Sequence, residues 1–188
     1  MSLLKEALAS EYCVISTMKT HSGQSVEQII DNKSNDIKKV GHTFWHIRTD
    51  KYTCSTIQKY ASKHCTYALF IESKDKSSLQ GAANIYEPIK KYQLDGGLFL
   101  FPQGLNPVTG KMDKSAKLLV FDQIESCSFK GFSLKSYVDA NTGNIIERFY
   151  SAWYSAFFKR NKSNFLLGNR IICAVARLSY PYCVIPVH

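Results

Sequence analysis

The sequence between Glu11 and Ser78 alternates three strand-like runs with two helix-like segments, and this alternation limits the possible folds more than any other feature. The runs are rich in β-branched and aromatic residues, which favour strands. Strands are predicted over residues 12–17, 42–49 and 65–72, and helices over 25–40 and 53–64. Because a connection between parallel strands needs an intervening element, the order predicts that the three strands run parallel in one sheet.

The first of these helices carries its own boundary signals. Ser25 followed by Gln28 fits a capping box, in which side-chain and backbone groups of the two residues pair at the helix start. Gly41 suits the left-handed conformation that commonly ends a helix. These signals predict a helix that begins just after Ser25 and ends just before Gly41.

Beyond Ser78 the chain changes character. Glycine and proline residues separate short apolar runs, which predicts further strands that extend the sheet in antiparallel orientation. A third helix is predicted over 144–159, because large apolar residues recur there at every fourth position and form one mostly aromatic face. These residues are Ile145, Phe149, Trp153 and Phe157. The predicted fold is a single α/β or α+β domain over residues 1–188, with a βαβαβ-like first part, a mixed sheet and this aromatic-faced helix.

The composition is that of a folded protein with an excess of positive charge. Hydrophobic residues make up 45% of the 188 residues and aromatic residues 13%, so the chain can bury a core. The formal net charge is +9 at pH 7. Such an excess is typical of proteins that bind phosphate-bearing partners, and we expect a nucleic acid or a nucleotide as the partner.

The six cysteines are scattered, with no CxxC or other close metal-ligand spacing. We therefore expect reduced thiols, no bound metal and no cofactor. The first residues lack the basic start and apolar core of a secretory signal, and no stretch has the length of a membrane span. These features predict a cytoplasmic protein that does not enter a membrane.

Polar and basic residues follow the three predicted strands. The loop after the first strand enters a long helix, where N–H groups and the helix dipole favour an anion. The candidate binding residues of this loop are Lys19, Ser22, Gly23 and Ser25, and Arg48, Lys51 and Lys74 follow the second and third strands. Parallel strands end at the same edge of a sheet, so these residues are expected to form one basic edge that binds a phosphate-bearing ligand.

Three functions are compatible with this sequence. Nucleic-acid binding at the basic edge is the first choice, because the cations are spread over several loops and form no recognisable nucleotide motif. In the second, the protein is a small hydrolase of phosphodiesters or nucleotides, with His21 as general acid or base because it is the histidine nearest the anion site. In the third, the aromatic helix near 145–157 docks a partner protein. The sequence leaves open whether the protein is an enzyme.

Overall fold

The computed structural model describes residues 2–20, 23–48, 53–64, 66–74, 91–94, 97–100, 116–145, 155–161 and 167–186. The α-helices in these ranges are α1 (Leu3–Ala9), α2 (Val26–Val40) and α3 (Cys54–His64). The helices predicted over 25–40 and 53–64 are confirmed as α2 and α3. No helix in this part of the chain is long and apolar enough to cross a lipid bilayer.

The strands in the same ranges form a mixed sheet. They are β1 (Tyr12–Met18), β2 (Thr43–Arg48), β3 (Tyr67–Glu72), β4 (Lys91–Leu94), β5 (Gly97–Leu100), β6 (Ala116–Phe132), β7 (Tyr137–Asp139), β8 (Ser155–Arg160) and β9 (Arg170–Pro186). Seven strands follow one another in the order β2-β6-β9-β3-β1-β8-β7, and the β4–β5 hairpin joins the carboxyl-terminal end of β9. β1 and β3 pair in parallel, whereas the other ladders are antiparallel. The α+β class with one mixed sheet is therefore confirmed.

The direction of β2 differs from the prediction. β2 is antiparallel to β6, β6 is antiparallel to β9, and β9 is antiparallel to β3. β2 therefore runs opposite to β1 and β3, and the prediction of three parallel strands is wrong for β2. The physical reason is that β2 pairs with β6, which follows much later in the chain, and no local signal specifies that partner. Arg48 ends β2, so it lies away from the end of the sheet where β1 and β3 terminate.

Residues 155–160 correct a second expectation. They form β8, antiparallel to β1, so the helix predicted over 144–159 is wrong at these positions. Ile145 lies in irregular structure, and residues 146–154 lie outside the described residues. Every fourth residue shares one face of a helix but also one face of a strand, whose side chains alternate, so the aromatic spacing does not distinguish the two. The prediction that an aromatic helix near 145–157 docks a partner protein is therefore not supported at residues 155–157, which belong to β8.

The core is centred on the three adjacent strands β1, β3 and β9. Ile15, Leu69 and Val175, one from each strand, are completely buried. Strands that are covered on both faces carry continuous apolar runs instead of an alternating pattern. This explains why the four residues at the centre of β3, Ala68–Ile71, are all apolar and all buried.

β2 folds back onto this core through Trp45. The Trp45 ring centre lies 4.6 Å from that of Phe70 in β3, and the indole N–H donates to the buried Ser16 hydroxyl of β1 at 3.2 Å. In the sheet order β2 is four strand positions from β1, which would separate them by about 19 Å in a flat sheet. The contact between Trp45 and Ser16 therefore requires a strongly curved sheet, consistent with the register irregularities between β6 and β9.

The buried side chain of Lys33 connects α2 to β2. Its buried ammonium group donates to the backbone carbonyl of Phe44 and lies 5.3 Å from the centre of the Trp45 ring. Burial lowers the pKa of Lys33 from 10.5 to about 8, although the nearby Asp36 carboxylate opposes the shift. Asp36 in turn accepts a hydrogen bond from the Thr43 hydroxyl at 3.4 Å. One turn of α2 thus makes two polar contacts with β2, and these contacts fix the position of the helix.

The buried ammonium predicts a pH-dependent stability. A lysine with a lowered folded-state pKa destabilises the fold while it is charged, so its contribution should be least favourable below about pH 8 and should improve as the pH rises toward 10.5. Over this interval, the free energy of unfolding of the wild type relative to Lys33→Met should rise by about 3 kcal/mol. Urea unfolding of both proteins across the interval measures this difference.

The comparison with Lys33→Met removes the contributions of other groups, such as the buried thiols, because both proteins contain them. Lys38→Met replaces an exposed lysine on the same helix and controls for the loss of one positive charge. A difference between wild type and Lys33→Met that does not change with pH would contradict the prediction.

Candidate functional site

A cavity of about 340 Å³ lies where β1 and β3 end, next to the first turn of α2. Its lining consists of Met18, Lys19 and Thr20 from the end of β1, Ser25, Val26, Glu27 and Ile30 from the start of α2, Glu72 and Ser73 from the end of β3, Ser126, Cys127 and Ser128 from β6, and Ile171 and Cys173 from β9. Its volume is typical of small-molecule sites. The carboxyl ends of parallel strands are also where open sheets bind ligands, so the cavity occupies the expected position.

The structure brings two of the predicted binding residues, Lys19 and Ser25, into the lining of this cavity. Gly23 lies between them in sequence, in an exposed position with left-handed backbone (φ +76°). Glycine adopts this positive φ without the backbone strain that other residues have there, so the chain can turn from the β1 loop into α2. The predicted loop therefore forms part of the cavity wall at Lys19 and Ser25, and Gly23 is not part of the lining.

Of the other predicted residues, the structure describes Lys74 and Arg48, and neither is part of the cavity lining. Lys74 is exposed beyond the end of β3, where its ammonium group donates to the Asn169 side chain at 3.5 Å. Arg48 lies at the far end of β2. His21, Ser22 and Lys51 lie outside the described residues, so a hydrolase with His21 as general acid or base stays a prediction.

The start of α2 supplies its own partners for its N–H groups. Ser25 Oγ accepts from the Gln28 backbone N–H at 3.2 Å, and Gln28 Oε1 accepts from the Ser25 N–H at 2.8 Å, which confirms the predicted capping box. The backbone N–H of Glu27 and the Ser25 hydroxyl donate to the Glu27 carboxylate, and this lowers the pKa of Glu27. The chain's own side chains thus occupy donors that a bound phosphate would use.

The charges of the cavity lining are mixed. Among the described residues, Lys19 contributes a cation, whereas Glu27 and Glu72 contribute two carboxylates. The remaining polar groups are hydroxyls and the thiols of Cys127 and Cys173. A lining of this kind offers hydrogen bonds to a small polar molecule, but it does not concentrate positive charge.

A second group of residues lies at the other end of β1. The Tyr12 and His64 rings stack with centroids 4.2 Å apart and planes inclined by 30°, and the Tyr60 ring lies 6.2 Å from each of them. The Lys159 ammonium lies 5.7 Å from the centre of the Tyr12 ring. We call these four residues, together with Lys59 and Lys63, the aromatic–basic surface.

Helix α3 and the β1–β8 ladder position this surface. Lys59 and Lys63 are exposed and one helical turn apart, and Tyr60 and His64 repeat this spacing beside them. Lys159 pairs with Tyr12 across the β1–β8 ladder. The two spacings in α3 are visible in the sequence, but the contact with Tyr12 depends on how α3 folds back over the sheet, and sequence reasoning missed it.

Comparisons with protein families, with characterised proteins and with solved structures give no match for this chain. In the part of the chain that the structure describes, no three His, Cys, Asp or Glu side chains are arranged to hold a metal ion.

The capping box predicts the effect of Ser25→Ala. The substitution removes the side-chain acceptor of the Gln28 N–H and should lower the free energy of unfolding by about 1 kcal/mol. Ser34→Ala, in the middle of the same helix, should be neutral or slightly stabilising, because alanine is the better helix former there. Urea unfolding of the two variants tests this, and equal stabilities would show that the cap contributes nothing.

Proposed function

We propose that the protein binds nucleic acid and that the nucleic-acid strand lies along the aromatic–basic surface. The observation that carries the proposal is the ring stack of Tyr12 and His64 bordered by lysine side chains. Lysines attract phosphates without regard to sequence, and aromatic rings stack on unpaired bases. A surface that combines the two favours single strands over duplexes.

The balance of charge supports this surface over the cavity. The whole chain has a net charge of +9, so it attracts a polyanion as it approaches. At the aromatic–basic surface Lys159 lies 3.6 Å from the Glu11 carboxylate, and both side chains are about half exposed. Lys59 and Lys63 are exposed on α3 and add two further cations. The cavity, in contrast, has two carboxylates beside its lysine.

Salt dependence is the first test. If the three lysines of the surface contact phosphates of a single strand, the logarithm of the binding constant should fall with the logarithm of the salt concentration with a slope of about −2. A fourfold rise in salt should then weaken binding about 20-fold. Fluorescence anisotropy with a labelled single-stranded oligonucleotide, and with the matching duplex, measures both affinity and slope. If neither is bound at low salt, the proposal is wrong.

Charge reversal locates the site. Lys59→Glu with Lys63→Glu should weaken binding more than tenfold and should reduce the salt slope. The matched control, Lys74→Glu with Lys130→Glu, changes the net charge equally but alters exposed lysines at the opposite end of the sheet. If the Lys74→Glu, Lys130→Glu control loses binding and the Lys59→Glu, Lys63→Glu variant does not, the nucleic acid binds along the edge of the sheet that contains Lys74. The aromatic–basic surface is then not the site.

A further inference from the structure

The sheet is irregular on both sides of Cys173. On one side, Phe70 pairs with Ala174 but Ile71 pairs with Ile172, so Cys173 is an extra residue relative to β3. On the other side, Ala174 pairs with Ser126 and Ile172 pairs with Phe129. Cys173 therefore faces two residues of β6, Cys127 and Ser128. Such a β-bulge interrupts the ladder and re-aims the side chains around it.

The two thiols interact with backbone carbonyls of the irregular region. Cys127 Sγ donates to the carbonyl of Ile172 at 3.5 Å, and Cys173 Sγ donates to the carbonyl of Phe70 at 3.4 Å. Ile172 precedes the extra residue on β9, and Phe70 is the last residue of β3 before the register shifts, so both thiols donate to carbonyls where the ladder loses its regular pairing. Cys127 and Cys173 are both half-buried, and both line the cavity.

We propose that Cys127 and Cys173 are a modification site, in which a hydroperoxide that enters the cavity converts the two thiols into a reversible disulfide. Residues that face each other on antiparallel strands have Cα atoms about 4.5–5.5 Å apart. A disulfide spans Cα separations of about 4.4–6.8 Å, so the bridge needs only local adjustment at the bulge. The inference does not depend on nucleic-acid binding.

The chemistry proceeds in two balanced steps. The Cys127 thiolate attacks one oxygen of hydrogen peroxide, the O–O bond breaks, and a sulfenic acid and hydroxide are formed. The Cys173 sulfur then attacks the sulfenic sulfur, which forms the S–S bond and releases water. In total, two thiols lose two hydrogens, and one peroxide is reduced to two waters. A dithiol such as dithiothreitol reverses the process by exchange.

Electrostatics determine the rate. Burial raises the pKa of both thiols, with a smaller contribution from the Glu125 carboxylate at Cys127. At Cys173, burial, the neighbouring Cys127 and the carboxylates Glu72 and Glu27 raise the pKa to about 12. The thiolate is the attacking form, so bridging should be slow at neutral pH and faster at higher pH. Cys127, the less buried thiol, is the one that attacks first.

The chain contains an internal control. Cys54 Sγ donates to the carbonyl of Cys183 at 2.9 Å, so these two cysteines are also neighbours. Cys183 is completely buried and Cys54 is only 8% exposed, and neither lines the cavity. Proximity alone would allow both pairs to form a bridge, whereas access through the cavity allows only Cys127 and Cys173.

The test is peroxide treatment of the folded protein, alkylation of the remaining thiols and mapping of cross-linked peptides by mass spectrometry. The expected result is a loss of two hydrogens and a Cys127–Cys173 peptide that dithiothreitol removes, while Cys54 and Cys183 stay alkylatable after unfolding. Cys173→Ser should abolish the cross-link and leave a sulfenic acid at Cys127 that dimedone traps. The proposal is overturned if Cys54–Cys183 is the bridge that forms, or if the thiols oxidise singly without one. Because the wild-type map decides between these outcomes, the test does not depend on the variant folding.

Discussion

The ladder between β6 and β9 is the interaction on which the rest of the structure depends. Each strand is 17 residues long, and β9 also pairs with β3 on its other edge and with β4 at its end. Without β9, the β1–β3 pair would have no connection through the sheet to β2 and β6. Backbone N–H and C=O groups in a core must be paired, so the buried centre of the sheet exists only because β9 supplies partners on both sides.

The elements whose signals are local could be predicted from the sequence. The capping box and the apolar stripe give α2 its boundaries, and Gly41 ends it in a left-handed conformation with φ +84°. The pairing partners could not be predicted, because they are set by contacts between distant parts of the chain. β2 is reversed by its pairing with β6, and residues 155–160 become a strand because the edge of β1 is available to them. Local spacing contains no information about either partner.

The same distinction applies to the candidate site. A cavity at the ends of β1 and β3 follows from their parallel pairing, which the alternation of strands and helices predicts. The charge of the cavity lining could not be predicted in the same way. Its carboxylates, Glu72 and Glu27, come from two different elements, and Arg48 lies at the other end of the sheet because β2 runs in the opposite direction. The cations of α3 lie at the other end of β1, where the His64 ring of α3 stacks on the Tyr12 ring of β1. The fold thus places the lysines of α3 and the cavity at opposite ends of β1.

The position of β9 in the chain also has a consequence for how the protein is made. β9 is the most central strand of the sheet by its pairings, but it follows every other described strand in the sequence. A ribosome-bound chain that has been made only as far as β8 has three strands, β3, β4 and β6, with edges that β9 will later cover. Unpaired edges of this kind invite pairing with other chains, and folding that waits for distant partners is slow. Until β9 has been made, these unpaired edges therefore expose the nascent chain to aggregation with other chains.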